Sequence, residues 1–357
     1  MTVAGDRIAE RVASFAFSEP EAAVDLGDDP SIVGVLRKER VLGLGVHAVE
    51  SGLATGTPEV LAELDRRHEE AMHQSMQIEV TAVRASRVLS EVGIDHRMLK
   101  GVALAHTLYS DPSLRSFRDV DILVPGAQID RAVDELTKLG AMRPQPQLRE
   151  GYDARFAKSV TLRLDTVEID VHRLLAPGPF GVWSRPGELF LLRRHYDVAG
   201  ETLATLDPTD HLVHACYHVA LGQVTPALVN LLDVALLATS VDNPIDFERF
   251  LETVERWRGA AVIKRAVRLV YARVDVELPE ELDAFRHQAV PRNELEMITP
   301  YLTDDPAGRF ASLAPATLKA LPMSDRAAYA LAVGLPDGAD PKARVRGLVK
   351  RAKQLRG

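Results

Sequence analysis

LKGVALAHTLYSDPSLRSFRDVDILVP, residues 99–125, and VEIDVH, residues 167–172, carry most of the structural information in this chain. In the first stretch Lys100-Gly101 opens a short helical run, ALAHTLY, that stops near Asp111-Pro112. DVDILV then alternates as a strand does: Val120, Ile122 and Val124 face one side, Asp119 and Asp121 the other. Two carboxylates on one strand face, about 7 Å apart along the strand, repel each other unless a cation lies between them. Hard oxygen ligands of this kind suit magnesium or manganese. In VEIDVH the same alternation sets Glu168, Asp170 and His172 opposite Val167, Ile169 and Val171, so that one of the three can complete a metal site. Alternation does not choose between Glu168 and Asp170.

Spacing alone is a weak signal, because acid-x-acid arises about seven times by chance in a chain with 51 acids among 357 residues. Context strengthens it. Lys100-Gly101 stands at a strand-to-helix turn, where backbone amides and a helix N-terminus receive phosphate oxygens. Three carboxylates around divalent ions, beside such a turn, form the arrangement that phosphoryl transfer needs.

On the N-terminal side, residues 1–93 read as a helical module. It has runs at Arg7 to Phe17 and Ile32 to Val49, then a long helix with Thr57 as N-cap, Pro58 at its first position and Gly93 at its end. IDHRML at 94–99 is short and strand-like, Gln128 to Leu139 is helical, and Val160 to Leu164 pairs with Val167 to Leu174 around Asp165-Thr166. Residues 94–200 therefore form an α+β core with a small mixed sheet, and no Gly-x-Gly-x-x-Gly fingerprint marks a dinucleotide fold. PGPFGVWSRPG at 177–187 reads as a long loop. From Thr209 the helical period returns at Thr209–Leu221, Ala227–Thr239, Phe247–Trp257 and Ala260–Val274, giving a C-terminal helical module over 201–357.

Hydrophobic residues make up 46% of the chain and charged residues 26%, the balance of a globular protein rather than a disordered or fibrous one. No run approaches the roughly 18 apolar residues of a membrane span, and the acids in MTVAGDRIAERVASF are unlike a signal peptide, so a cytoplasmic location is expected. Cys216 is the only cysteine, which excludes an intrachain disulfide and a cysteine zinc site. The net charge is -8, yet Lys342, Arg344, Arg346, Lys350, Arg351, Lys353 and Arg356 place seven positive charges in the last 17 residues, leaving -8 - 7 = -15 for the body. Such a tail is either a solvated helix or a contact for nucleic acid or another partner.

The series LKGVALAHTLYSDPSLRSFRDVDILVP followed by VEIDVHRLL resembles the bacterial nucleotidyltransferase-like family of uncharacterised nucleotidyltransferases, within the polymerase-beta-like superfamily. That family shows Leu-Lys-Gly before a helix, an Arg four residues before Asp-x-Asp-Leu, and a downstream Asp-Leu-His. Here these are Leu99-Lys100-Gly101, Arg115, Asp119-Val120-Asp121-Ile122 and Asp170-Val171-His172, and the similarity spans about residues 30 to 260. The resemblance favours Asp170 over Glu168. It implies Asp119, Asp121 and Asp170 as catalytic metal ligands, with a nucleoside triphosphate as co-substrate. Where superfamily enzymes carry Gly-Gly or Gly-Ser at the phosphate loop, this chain has Gly101-Val102.

Lys100, Gly101 and Arg115 are the candidates for binding the triphosphate, with Lys158 and Arg118 behind them. His211, His214 and His218 share a helix face, as packing groups or as metal ligands, and Asp233 within LLDVALL calls for a basic partner or a place in the cleft. The expected function is transfer of a nucleoside monophosphate to a hydroxyl of a small molecule, protein or RNA, with release of pyrophosphate. A toxin-like transferase acting on transfer RNA 3′ ends and a non-catalytic nucleotide-binding scaffold are the alternatives.

Overall fold

The computed structural model describes residues 3–17, 23–303 and 305–334; the basic tail, and the RNA contact expected of it, lies outside them. The chain opens with α1 (Val3–Ser14), β1 (Val24–Asp25), α2 (Ser31–Glu39), α3 (Leu42–Glu50), β2 (Ala54–Thr55) and α4 (Pro58–Glu91). The single helix expected over 32–49 is in fact two. Arg40 takes a left-handed conformation (φ 61°), and the amides of Arg40 and Val41 turn back onto the carbonyls of Arg37 and Leu36. The parallel pair β1–β2 was not anticipated from the sequence. α4 begins and ends as its sequence indicates: the Thr57 hydroxyl accepts from the Val60 amide, and Gly93 (φ +71°) closes the helix.

The core follows with β3 (Arg97–Leu99), α5 (Lys100–Thr107), β4 (Asp119–Leu123), α6 (Ile129–Lys138), α7 (Tyr152–Arg155), β5 (Ser159–Leu164), β6 (Val167–His172), α8 (Pro179–Trp183), β7 (Arg194–Val198) and β8 (Glu201–Thr205). Strand order is β5-β6-β4-β3-β8-β7, with β4–β6 and β3–β8 parallel and the other pairs antiparallel. The expected hairpin β5–β6 turns at Asp165 (φ 54°). A second hairpin, β7–β8, turns at Ala199-Gly200, both at positive φ, and extends the sheet past residue 200. The loop expected at 177–187 instead holds α8, begun by Gly178 (φ +76°) with Pro179 at its first position and anchored by the buried Phe180.

Helices complete the described chain: α9 (Pro208–Leu221), α10 (Leu228–Thr239), α11 (Phe247–Arg256), α12 (Ala260–Arg273), α13 (Glu280–Asp283), α14 (Arg292–Ile298), α15 (Pro306–Ala320) and α16 (Met323–Gly334). None of the described helices is long and apolar enough to cross a membrane. The sheet separates two cores. Val120, Ile122, Val124, Ile169 and Val171 pack with α4 and α6 on one side. On the other, Leu99 and Leu123 join a cluster in which α1–α3 and α9–α12 bury their apolar faces together. The two helical modules thus share one interior. Glu39, 3% exposed, ties them: its carboxylate accepts from the Leu228 amide at 2.8 Å and from Arg273 at 3.2 Å, while Arg273 also pairs with Glu10.

Candidate active site

β4 and β6 run side by side in parallel, with Asp121 in register with Asp170 and Asp119 with Glu168. Alternation puts these acids on the sheet face turned toward the shared helical interior, while Val120 and Ile122 anchor the opposite face. Ligand atoms of Asp121, Asp170 and His172 lie within 4.8 Å of one another. Asp119 stands outside that trio, one strand step away. Glu168 is exposed, whereas Asp170 is half-buried and receives a hydrogen bond from the Thr161 hydroxyl at 2.5 Å.

Asp121 is the most engaged of these acids. Lys100 Nζ lies 3.0 Å from its Oδ2 and His172 Nε2 2.7 Å from its Oδ1. That second contact requires the Nε2–H tautomer of His172, leaving Nδ1 buried without a partner. Burial opposes the charge of Asp121, but Lys100 and then His172 hold it well below the usual carboxylate range. Asp119 moves the other way, raised by burial and by the charge of Asp121. Burial also works against the charge of Lys100, which Asp121 and Asp119 nevertheless raise above its ordinary pKa.

Lys100 has φ +42°, an uncommon backbone for a non-glycine residue, and it sits where β3 passes into α5. Gly101 follows because a Cβ there would meet Phe117 Cβ at 3.2 Å. Val102, at the departure from the superfamily pattern, is 2% exposed and points into the core, away from the turn. Lys158 is half-buried, and its pKa is lowered by burial and by Lys100, against the pull of Asp170 and Asp121.

Arg115, expected among the phosphate ligands, is placed differently. Its guanidinium is buried against Asp233, at 2.9 Å from Nε and 2.6 Å from Nη2, and Nη1 donates to the Gly101 carbonyl at 3.2 Å. Tyr109 donates to the same Asp233 carboxylate at 3.0 Å. Nε and both terminal nitrogens of the guanidinium are thus engaged inward, linking Asp233 to the Gly101 turn. Asp233 has the basic partner that its apolar surroundings call for.

The three histidines of α9 do share a face, with successive ring centroids 6.3 and 6.5 Å apart, but they do not appear in a cluster close enough to hold an ion among the described residues. His218 faces the site, where burial and the charges of Lys100 and Lys158 lower its pKa. Cys216 is buried and its thiol pushed up to about 12 by burial, which makes it inert as a nucleophile. Sequence reasoning missed Arg40. No local pattern marks it, and only the fold turns its charge toward Asp119 and Asp121.

An α+β core that presents acids from two neighbouring parallel strands beside a lysine at a strand-to-helix turn is that of a nucleotidyltransferase-like protein. Residues 27–274 match the family described as Uncharacterised nucleotidyltransferase, and the chain belongs to that family. The crystal structure of an antigenic nucleotidyltransferase-like protein from Paracoccidioides brasiliensis aligns with 57% of this chain and 95% of its own, at 14% identity and a TM-score of 0.30. No curated protein matches the chain.

Proposed function

We propose that this protein is a metal-dependent nucleotidyltransferase of the polymerase-beta-like superfamily, transferring a nucleoside monophosphate from a triphosphate to a hydroxyl acceptor with release of pyrophosphate. The register of Asp121 against Asp170, with Asp119 on the same face, carries this reading. The donor set fits a divalent cation: carboxylates and an imidazole converge within 4.8 Å, and Asp119 is strained by a neighbouring like charge that a cation would relieve. Asp119, Asp121 and Asp170 would hold magnesium or manganese. When bound, such ions acidify the attacking hydroxyl and neutralise the phosphates.

The remaining work falls to the chain's own groups. Lys100 and Lys158 attract the phosphates to the turn at Gly101, where the start of α5 presents free amides. His172 fixes the orientation of Asp121, and the Thr161 hydroxyl fixes that of Asp170, which accepts the proton of the acceptor. RNA as the acceptor rests on the seven basic residues at 342–356, and loss of RNA binding on deleting 341–357 would support it.

One observation favours a second reading, a nucleotide-binding scaffold without turnover. Lys100 and His172 already engage both oxygens of Asp121, an internal neutralisation that needs no ion. Calorimetry with each of four nucleoside triphosphates, with and without magnesium, combined with pyrophosphate release, separates the two. The transferase reading expects magnesium-dependent binding and release that fall at least about 100-fold in Asp119→Ala/Asp121→Ala. Binding without release, whatever acceptor is supplied, would favour the scaffold, and release undiminished in the double variant would refute the metal site.

A further inference from the structure

Three arginines take no part in the reaction as proposed above, although the sequence places Arg118 among the weaker phosphate candidates. Arg37 and Arg40 come from the end of α2, and Arg118 directly precedes Asp119. Their side chains make no hydrogen bond, ion pair or ring contact among the described residues. Several other buried or half-buried arginines are ion-paired: Arg97 with Asp95, Arg115 with Asp233, Arg249 with Asp207 and Arg273 with Glu39.

The corner that carries Arg40 is rigid and conformationally unusual. Arg40 has φ 61° and ψ 34°, a left-handed backbone that non-glycine residues avoid and that persists where the surroundings enforce it. The enforcement is visible on both sides. Glu39 is fixed by Leu228 and Arg273, and α3 presses so closely on the segment before β4 that a Cβ at Gly43 would lie 2.1 Å from the Ser113 carbonyl oxygen.

The three charges act on one another and on Asp119. Burial and then Arg118 lower the pKa of Arg40, against the pull of Asp119; burial and then Arg37 lower that of Arg118, also against Asp119. Arg37 and Arg118 are exposed, and Arg40 is half-buried beside the acids. At the other end of the site Lys158 answers to Asp170 before Asp119, whereas Arg40 answers to Asp119 before Asp121. Crowded cations that make no salt bridge or hydrogen bond to an acid suit an anion, and the planar guanidinium fork matches phosphate.

We infer that Arg40 and Arg118, with Arg37 at the mouth, form a phosphate subsite at the Asp119 end of the site, holding the terminal phosphates of the triphosphate and the pyrophosphate that leaves. The identity of the anion rests on the nucleotidyl-transfer reading; the subsite itself does not. In that reaction the acceptor oxygen bonds to the α-phosphorus and its proton passes to Asp170. The bond from the α-phosphorus to the bridging oxygen breaks, and its electron pair leaves on pyrophosphate, whose growing charge the arginines meet.

Calorimetry in chelator, with inorganic pyrophosphate, inorganic phosphate and AMP as probes, tests the subsite without any bound metal. Wild type binds pyrophosphate more tightly than phosphate. Arg40→Gln and Arg118→Gln each weaken pyrophosphate roughly tenfold, Arg40→Lys less so, and AMP binding is unchanged in all of them. Arg118→Gln alters an exposed side chain, so it keeps the test valid should Arg40→Gln fail to fold. No pyrophosphate binding in wild type, or equal binding in Arg118→Gln and wild type, overturns the inference; phosphate bound as tightly as pyrophosphate overturns the pyrophosphate assignment. Pyrophosphate release by wild type is scored separately. Its absence alongside arginine-dependent pyrophosphate binding sinks the transferase reading and leaves the subsite standing.

Discussion

Asp233 illustrates how a single side chain supports the Gly101 turn from a distance. It lies 3% exposed among leucines, and it holds Arg115 by two hydrogen bonds while Arg115 holds the Gly101 carbonyl. Removing one partner of such a pair leaves an uncompensated buried charge, so Asp233→Ala should lower unfolding stability by about 3–5 kcal/mol, measurable in urea. An apolar double replacement, Arg115→Met/Asp233→Leu, should recover most of that loss while still freeing the Gly101 turn. Stability restored without nucleotide affinity is the expected result, and affinity restored with it would show that the pair does not brace the turn. The partnership was half-legible in the sequence. A lone acid in LLDVALL announces a partner, but the separation of 118 residues hides which basic group it is, and Arg115 looked free to meet phosphate. The acids of β4 and β6 were read more directly, because period-two alternation fixes their face; Asp119 nevertheless stands apart from the tight trio, in which His172 takes a place.

Among the elements, those whose signals are local were legible: α4 with its cap and closing glycine, β4 and β6 by alternation, and the helices after Pro208 by period. The β7–β8 hairpin was missed although Tyr196, Val198 and Leu203 alternate with polar residues around Ala199-Gly200, and only the partnership of β8 with β3 makes it part of the sheet. The break at Arg40 had no signal, since a left-handed arginine is imposed by packing on either side and not by its own preference. That packing gives a test. Gly43→Ala places a methyl group against backbone, not a flexible side chain, so the α2–α3 corner or the segment before β4 must shift. Thermal unfolding should show a loss of about 1–3 kcal/mol. An unchanged Tm would mean that the corner yields easily and is not the rigid mount described above.

Across the whole molecule, the row of histidines on α9 predicts how stability responds to acid. His211 is 2% exposed; burial and then the charge of Arg115 lower its pKa from 6.5 to about 3. A base whose folded pKa is depressed favours the neutral form in the folded state. Its contribution is complete above pH 6.5 and is lost progressively as the pH falls from there toward about 3. The loss is at most about 5 kcal/mol from this residue. Urea denaturation of His211→Gln and wild type across that range should give curves that converge toward low pH; parallel curves would mean that His211 accepts a proton without cost. The union of the two helical groups in one interior has a different consequence, which concerns timing. Glu39 is secured by Leu228 and Arg273, so the corner bearing Arg40 has no fixed mount until the chain has been made through residue 273 and a loop of more than 200 residues has closed. β4 and β6 can pair earlier from nearby sequence, yet their acids then lack both Arg40 and His218. A ribosome-bound fragment therefore carries the carboxylates with Lys100 and Lys158 but without the mount of Arg40, so the charge balance around Asp119 is completed only after residue 273 has been made.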